Sequence, residues 1–170
     1  MTLTADDLIL QLGLAPLPWE GGYYKETWRA DVSIPKDALG DAYPGPRDAG
    51  TAIYYLLTPD TLSRTHRLPS SETFHFYLGD AVEMLLLEDA PAHRTITFGQ
   101  DLAAGEVVQF TVPGMVWMGA RLDPERIKAG FALMGTTVAP GFDFEDLIMG
   151  EADALSAEYP AAAEMIQTLS

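Results

Sequence analysis

Apolar and polar positions change their spacing three times along the chain. Between Thr4 and Leu12 a short apolar run follows Thr4 as a plausible N-cap, with Asp6 and Asp7 in the first turn and Gly13 just beyond. This pattern predicts a short helix whose acidic start suits the helix dipole. From Gly21 the pattern becomes that of strands. Runs suited to β-structure occupy Gly21–Ala30, Thr51–Thr58, Leu62–Leu68, Glu72–Leu78, Val82–Glu88, Arg94–Phe98, Glu106–Val112, Met115–Arg121 and Ile127–Val138, separated by Pro-, Gly- and Asp-rich turns. Ser33–Gly50, with its prolines and glycines in a polar context, reads as a long surface loop. Many short strands at this spacing predict an all-β sandwich or barrel. The last region changes again: Phe144–Leu155 and Ala161–Leu169 are rich in Ala, Leu, Met and Glu around Pro160, predicting two short helices packed on the outside.

Composition narrows the class. With 170 residues, 48% of them hydrophobic, the chain can bury a core without a covalent or metal staple, and residues 1–170 read as a single domain. There is no cysteine, which excludes thiolate catalysis and zinc–thiolate sites and fits a reducing compartment. Two aspartates and no basic residue precede the first apolar run, unlike a secretory signal, and no apolar stretch approaches the roughly 18 residues of a membrane span. A soluble, cytoplasmic protein is expected. Ten Lys and Arg stand against 25 Asp and Glu, a formal net charge of -15, so nucleic acid and anionic membranes are repelled.

The candidate chemistry concentrates in Thr65–Asp80, THRLPSSETFHFYLGD, which holds His66, Glu72 six residues on, His75 and Gly79. That spacing resembles the first motif of the cupin superfamily, with Leu68 where the second motif histidine would stand. Gly105–Trp117, GEVVQFTVPGMVW, resembles the second motif, with Trp117 in place of its histidine. Two of the four metal ligands implied by the resemblance are therefore missing, and a barrel with no metal or other cofactor is expected.

With EGGYYKETWR at Glu20–Arg29 and VAPGFDFEDL at Val138–Leu147, the chain is similar to a small family of uncharacterised cupins with the RmlC-like, sugar-epimerase-like jelly roll. The resemblance implies a cupin double-stranded β-helix, a homodimer and a conical pocket. The chain departs from that family in two places: Pro18 and Trp19 replace a His-Pro pair before Glu20, and Phe74 replaces a tryptophan.

Strand parity sorts the side chains. If Glu72 points into the barrel, Phe74, Phe76 and Leu78 follow, while Thr73, His75 and Tyr77 face away unless a bulge intervenes. His66 shares a face with Leu68, and Met115, Trp117 and Gly119 alternate in the same manner. The expected interior is aromatic and apolar, with His66, Glu72 and Gln109 as its few polar groups, and this suits a small-molecule pocket.

Several readings stay open. In a metal-independent epimerase or isomerase, His66 abstracts a proton, Glu72 orients it, and Tyr54 or Tyr77 supplies the acid. His75, Phe74, Phe76, Gln109, Trp117 and Arg67 are the expected ligand contacts. Arg64, Arg67, Arg94 and Arg121 are the only candidates to hold a phosphate, so an unphosphorylated substrate suits the chain better. A non-catalytic cupin that captures a small metabolite needs only the pocket. A metal cupin built on His66, Glu72 and His75 has suitable ligand types, but parity turns His75 away from Glu72. Each residue also has a plainer role: His66 and Glu72 as a structural pair, His75 supporting an outer layer, Trp117 as packing, and His93 in a solvated turn. Tyr23, Tyr24 and Trp28 form an aromatic strand suited to an interface between two copies.

Overall fold

The structure, a computed structural model, describes residues 3–170. The first helix, α1 (Ala5–Leu12), forms as expected. Thr4 and Asp7 exchange backbone and side-chain hydrogen bonds as a capping box, and Gly13 closes the helix in the left-handed conformation. Thirteen strands follow: β1 (Ala15–Pro16), β2 (Tyr23–Arg29), β3 (Ser33–Ile34), β4 (Arg47–Asp48), β5 (Thr51–Leu57), β6 (Ser63–Arg67), β7 (Ser71–Gly79), β8 (Val82–Leu87), β9 (His93–Phe98), β10 (Gln109–Val112), β11 (Trp117–Leu122), β12 (Ala132–Ala139) and β13 (Ile148–Met149). Helices α2 (Ala152–Glu158) and α3 (Ala163–Thr168) complete the chain.

Two antiparallel sheets face one another, one in the order β1-β2-β5-β12-β7-β10 and the other β13-β6-β11-β8-β9. Their facing residues, among them Tyr55, Leu57, Phe74, Phe76, Met84, Leu86, Phe98, Met118 and Met134, make the central core. This is the mostly-β cupin barrel with terminal helices that the sequence predicts. Helix α1 covers one end of the six-stranded sheet's outer face through Leu8, Leu56, Phe131 and Leu133. The C-terminal helices cover the outer face of the other sheet through Leu155, Tyr159, Ile166 and Leu169 against Leu85 and Leu87. No helix among the described residues is long and apolar enough to cross a membrane.

Four departures from the expected elements have physical causes. Glu106 is not in a strand, because its buried carboxylate accepts the Asp101 N–H at 2.7 Å and pairs with Arg126, anchoring a loop. Residues 128–130 cannot join β12, because their N–H groups are taken by the Asp80 carboxylate at 2.7–3.0 Å. The expected helix at Phe144 starts only at Ala152, since Phe144–Asp146 form a 3-10 turn and Ile148–Met149 pair with β6. The Ser33–Gly50 loop is closed at its base by a short ladder, Ser33 opposite Asp48 and Ile34 opposite Arg47.

Two of the motif glycines, Gly79 and Gly114, mark close backbone approaches. Gly79 has φ +112, and a Cβ there would run into the Phe131 carbonyl; one at Gly114 would strike the Pro69 carbonyl. These two contacts lock the ends of β7 and the start of the β10–β11 turn in place.

Candidate functional site

A cavity of about 330 Å³ opens between the sheets, walled by Leu17, Tyr24, Ile53, Leu68, Val138, Phe142 and Phe144. Its polar lining comes from Glu20, Glu26, Arg29, Thr51, Tyr55, Glu72, Thr136 and Asp143. The strands explain why these meet. Glu72 on β7 and Thr136 on β12 point inward from the larger sheet, as do Ile53 and Tyr55 on β5. Leu68 enters just past the end of β6.

Glu20 arrives from a turn rather than a strand. Trp19, immediately before it, holds φ +62, a backbone conformation that a bulky side chain rarely adopts. That turn carries the Glu20 carboxylate inward, where Ser63 Oγ donates to it at 2.9 Å. Tyr55 donates its hydroxyl to the Gly21 carbonyl at 3.1 Å, and burial and then the charge of Glu20 raise its pKa.

His66 lies behind Glu20. It is only 1% exposed, and its Nε2 is 3.8 Å from a Glu20 carboxylate oxygen. Its Nδ1 is 2.7 Å from the Arg64 carbonyl. A carbonyl can only accept, so Nδ1 carries a proton and donates, leaving Nε2 to face Glu20. The Arg64 carbonyl therefore orients the imidazole, a role the sequence had suggested for Glu72.

Glu72 is 7% exposed and lines the cavity. Burial, followed by the nearby charge of Glu20, raises its pKa to about 7, against the opposing influence of His66 and of the Thr136 hydroxyl. It changes charge near neutrality, whereas an exposed glutamate stays ionised.

The rim is set by a second, fully paired charge cluster. Arg47 on β4 donates two hydrogen bonds of 2.7 Å to the Asp146 carboxylate, and both residues are buried. The Phe142 N–H donates to Thr51 Oγ1 at 2.9 Å. Together these hold the segment that brings Phe142 and Phe144 over the cavity, with Trp19 edge-on to Phe144 at 5.4 Å. The one guanidinium in the cavity wall, Arg29, is engaged by Glu26 at 2.7 Å, Asp48 at 2.9 Å and the Phe142 carbonyl at 3.3 Å.

The other expected site residues lie elsewhere. Tyr54 and Tyr77 sit on the outer face of the larger sheet, edge to face at 6.4 Å, with Tyr77 lying against Gly135. They cannot supply an acid to the cavity. His75 is on the same outer face, with Nε2 3.1 Å from Thr137 Oγ1, and exposed Gln109 pairs with it across β10. Leu78 also turns outward, beneath α1, because a register shift opposite Leu133 and Met134 makes Tyr77 an extra residue in the ladder. Phe74 and Phe76 face inward but pack in the central core, Phe74 against Phe98 at 5.9 Å.

Trp117 faces the C-terminal helices, because Met118, Ala120 and Leu122 are the inward residues of β11. Arg67 lies over its ring at 4.2 Å, in a separate cleft. None of the possible phosphate-holding arginines reaches the cavity, and Arg94 and Arg121 pair with Glu88 and Glu83. Among the described residues, no three His, Asp or Glu side chains are grouped to hold a metal ion: of the set His66, Glu72 and His75, His75 lies on the outer face of the larger sheet, away from Glu72 on its inner face and from His66 on β6 of the other sheet. Parity had no means of finding Glu20, which occupies a loop; its place ahead of two glycines was the one available signal.

The model of a family described as cupin superfamily (DUF985) matches residues 6–150. The uncharacterised protein YML079W of Saccharomyces cerevisiae is 35% identical over 134 residues, covering 75% of this chain and 66% of that protein's length. A hypothetical protein from Leishmania major superposes with a TM-score of 0.87 at 31% identity, over 99% of both chains. Protein SO0799 from Shewanella oneidensis gives 0.84 at 32% identity, over 99% of this chain and 98% of that one.

Proposed function

Given that the chain belongs to the cupin superfamily, in the family described as DUF985, we propose that it binds a small metabolite in the barrel cavity without a metal. One observation carries this reading: a cavity of about 330 Å³, apolar and aromatic on its walls, with a buried carboxylate, Glu72, facing into it. A carboxylate buried in that way costs stability unless a ligand makes use of it. A ring of sugar size would lie against Tyr24, Phe142 and Phe144.

His66 is buried and does not line the cavity, which supports binding over a mechanism in which His66 is the base. A second reading keeps proton transfer. Glu72 reaches the cavity with a pKa raised to about 7, a value suited to taking and returning a proton in an isomerisation.

The protein acts, in this reading, as a homodimer in a reducing cytoplasm. Its aromatic outer sheet face, with Trp28 51% and Tyr77 42% exposed, supports self-association; a monomer by light scattering at micromolar concentration would remove that part. Native mass spectrometry of freshly purified protein, followed by extraction and identification of what it carries, tests the cavity itself. We expect a small molecule at up to one per chain and no stoichiometric transition metal. A protein that retains nothing, and that no member of a metabolite library stabilises, would overturn the reading.

A further inference from the structure

The hydrogen-bonding groups around the cavity are unevenly used. Ser63 donates to Glu20, Tyr55 to the Gly21 carbonyl, and His66 Nδ1 to the Arg64 carbonyl. Arg29 is committed to Glu26, Asp48 and the Phe142 carbonyl. The strong donors of the floor and wall are thus spent within the protein. What remains open toward the cavity is mainly acceptors, the carboxylates of Glu20 and Glu72; nearer the rim, Glu26 is held by Arg29 and Asp143 accepts the Glu145 N–H. Glu72, more than nine-tenths buried, has among the described residues only the Thr136 hydroxyl as a hydrogen-bonding neighbour, so most of its acceptor capacity points into the cavity.

We propose that the cavity selects a small organic cation, an ammonium group on an apolar or aromatic body, with its charge seated against Glu20 and Glu72. This deepens the small-metabolite reading above and rests on it. An ammonium brings three donors and no acceptor, complementing a floor rich in acceptors. It also relieves the repulsion between two carboxylates held close in a desolvated space, which no neutral hydroxyl can do to the same extent. The body of the ligand would lie against Tyr24, Ile53, Leu68 and Phe144. Anionic and phosphorylated ligands meet the opposite situation, since the only guanidinium in the wall is already neutralised by two carboxylates.

The groups facing Glu72 are Glu20 from the turn before β2, Tyr55 on β5, His66 on β6 and Thr136 on β12, with Arg29 and Glu26 further out on β2. A cation seated there favours ionised Glu72, so binding near neutrality expels a proton and strengthens as pH rises through about 7.

Isothermal titration of the full-length protein with benzylamine, benzyl alcohol and benzoate tests this directly. Benzylamine should bind at least about 10-fold more tightly than benzyl alcohol, with benzoate weakest, and its affinity should fall about 10-fold from about pH 8 to about pH 6. Glu72→Gln should weaken benzylamine by about 10-fold or more while leaving benzyl alcohol within about 3-fold. Equal binding of amine and alcohol, an amine affinity unchanged by Glu72→Gln, or no amine binding at millimolar concentration would overturn the proposal. A neutral or anionic metabolite found on the purified protein would also overturn it while leaving the small-metabolite reading intact. If the protein neither carries nor binds any small molecule, both fail together.

Discussion

Two clusters of buried charge, one bracing the segment over the cavity and one lining the cavity itself, are built by different rules. At the rim, Arg47 and Asp146 satisfy each other through two parallel hydrogen bonds of 2.7 Å. On the floor, Glu72 is buried near Glu20, and burial first and that neighbouring charge second make it hold a proton more tightly. A paired buried charge is explained by the fold it braces. One that faces a cavity without a paired charge is explained by what that cavity binds.

The comparison can be broken most forcefully at the rim. Arg47→Ala leaves Asp146 buried and unpaired, and should destabilise the protein by about 3–5 kcal/mol in urea unfolding. A loss below about 1 kcal/mol would mean that the clamp is dispensable.

The floor should behave in the opposite sense. Glu72 has a folded pKa of about 7 against an ordinary 4.5. Its protonated form is favoured by folding, so the stability it contributes is complete below about 4.5 and is lost as pH rises through about 7. Glu72→Gln should therefore stabilise the unliganded protein at about pH 8 by on the order of 2–3 kcal/mol. The gain should vanish at low pH. Paired unfolding curves across that range isolate the effect from the general repulsion of an acidic chain, and a variant less stable than wild type at high pH would refute it.

His66→Ala sharpens the contrast, since this residue lies behind the floor, next to Glu20, and is hydrogen-bonded like a structural one. Removing it takes away the part-buried hydrogen bond to the Arg64 carbonyl and leaves a cavity where the buried imidazole stood, and should cost about 1–3 kcal/mol by thermal or chemical unfolding. An unchanged midpoint would return His66 to the ligand chemistry. The smallest effect belongs to the far face: His75→Ala loses one half-buried hydrogen bond, costs about 0.5–1.5 kcal/mol, and leaves benzylamine affinity unchanged in the same titration.

Alternation along β7 made the inward direction of Glu72, Phe74 and Phe76 legible from the chain alone, because a half-buried strand has a period of two. The same argument failed two residues later at Leu78, where an extra residue in the ladder reverses the faces, and a bulge leaves no mark in the pattern. Trp117 was misplaced for a related reason. Parity groups it with Met115 and Gly119, but which group faces inward is decided by how β11 leaves the Pro113–Gly114 turn, where Met115 takes φ +67. The family blocks identified the barrel, yet their residues do two kinds of work. Glu20 and Phe142 reach the cavity, while Asp146 serves the clamp, and only the three-dimensional pairing with Arg47, 99 positions away, separates these roles.

The ladder that joins Ser33 to Asp48 and Ile34 to Arg47 also makes the intervening segment a closed excursion with both ends pinned. Leu39 and Tyr43 tether it, Tyr43 through a 3.0 Å hydrogen bond to Ser70, but its tip at Gly40–Asp41 is exposed, and a side chain built at Gly40 meets nothing within 4 Å. Loop-closure entropy grows only slowly with length. The tip is accordingly a place where a reporter peptide or a whole guest domain can be spliced in without disturbing either the clamp or the cavity.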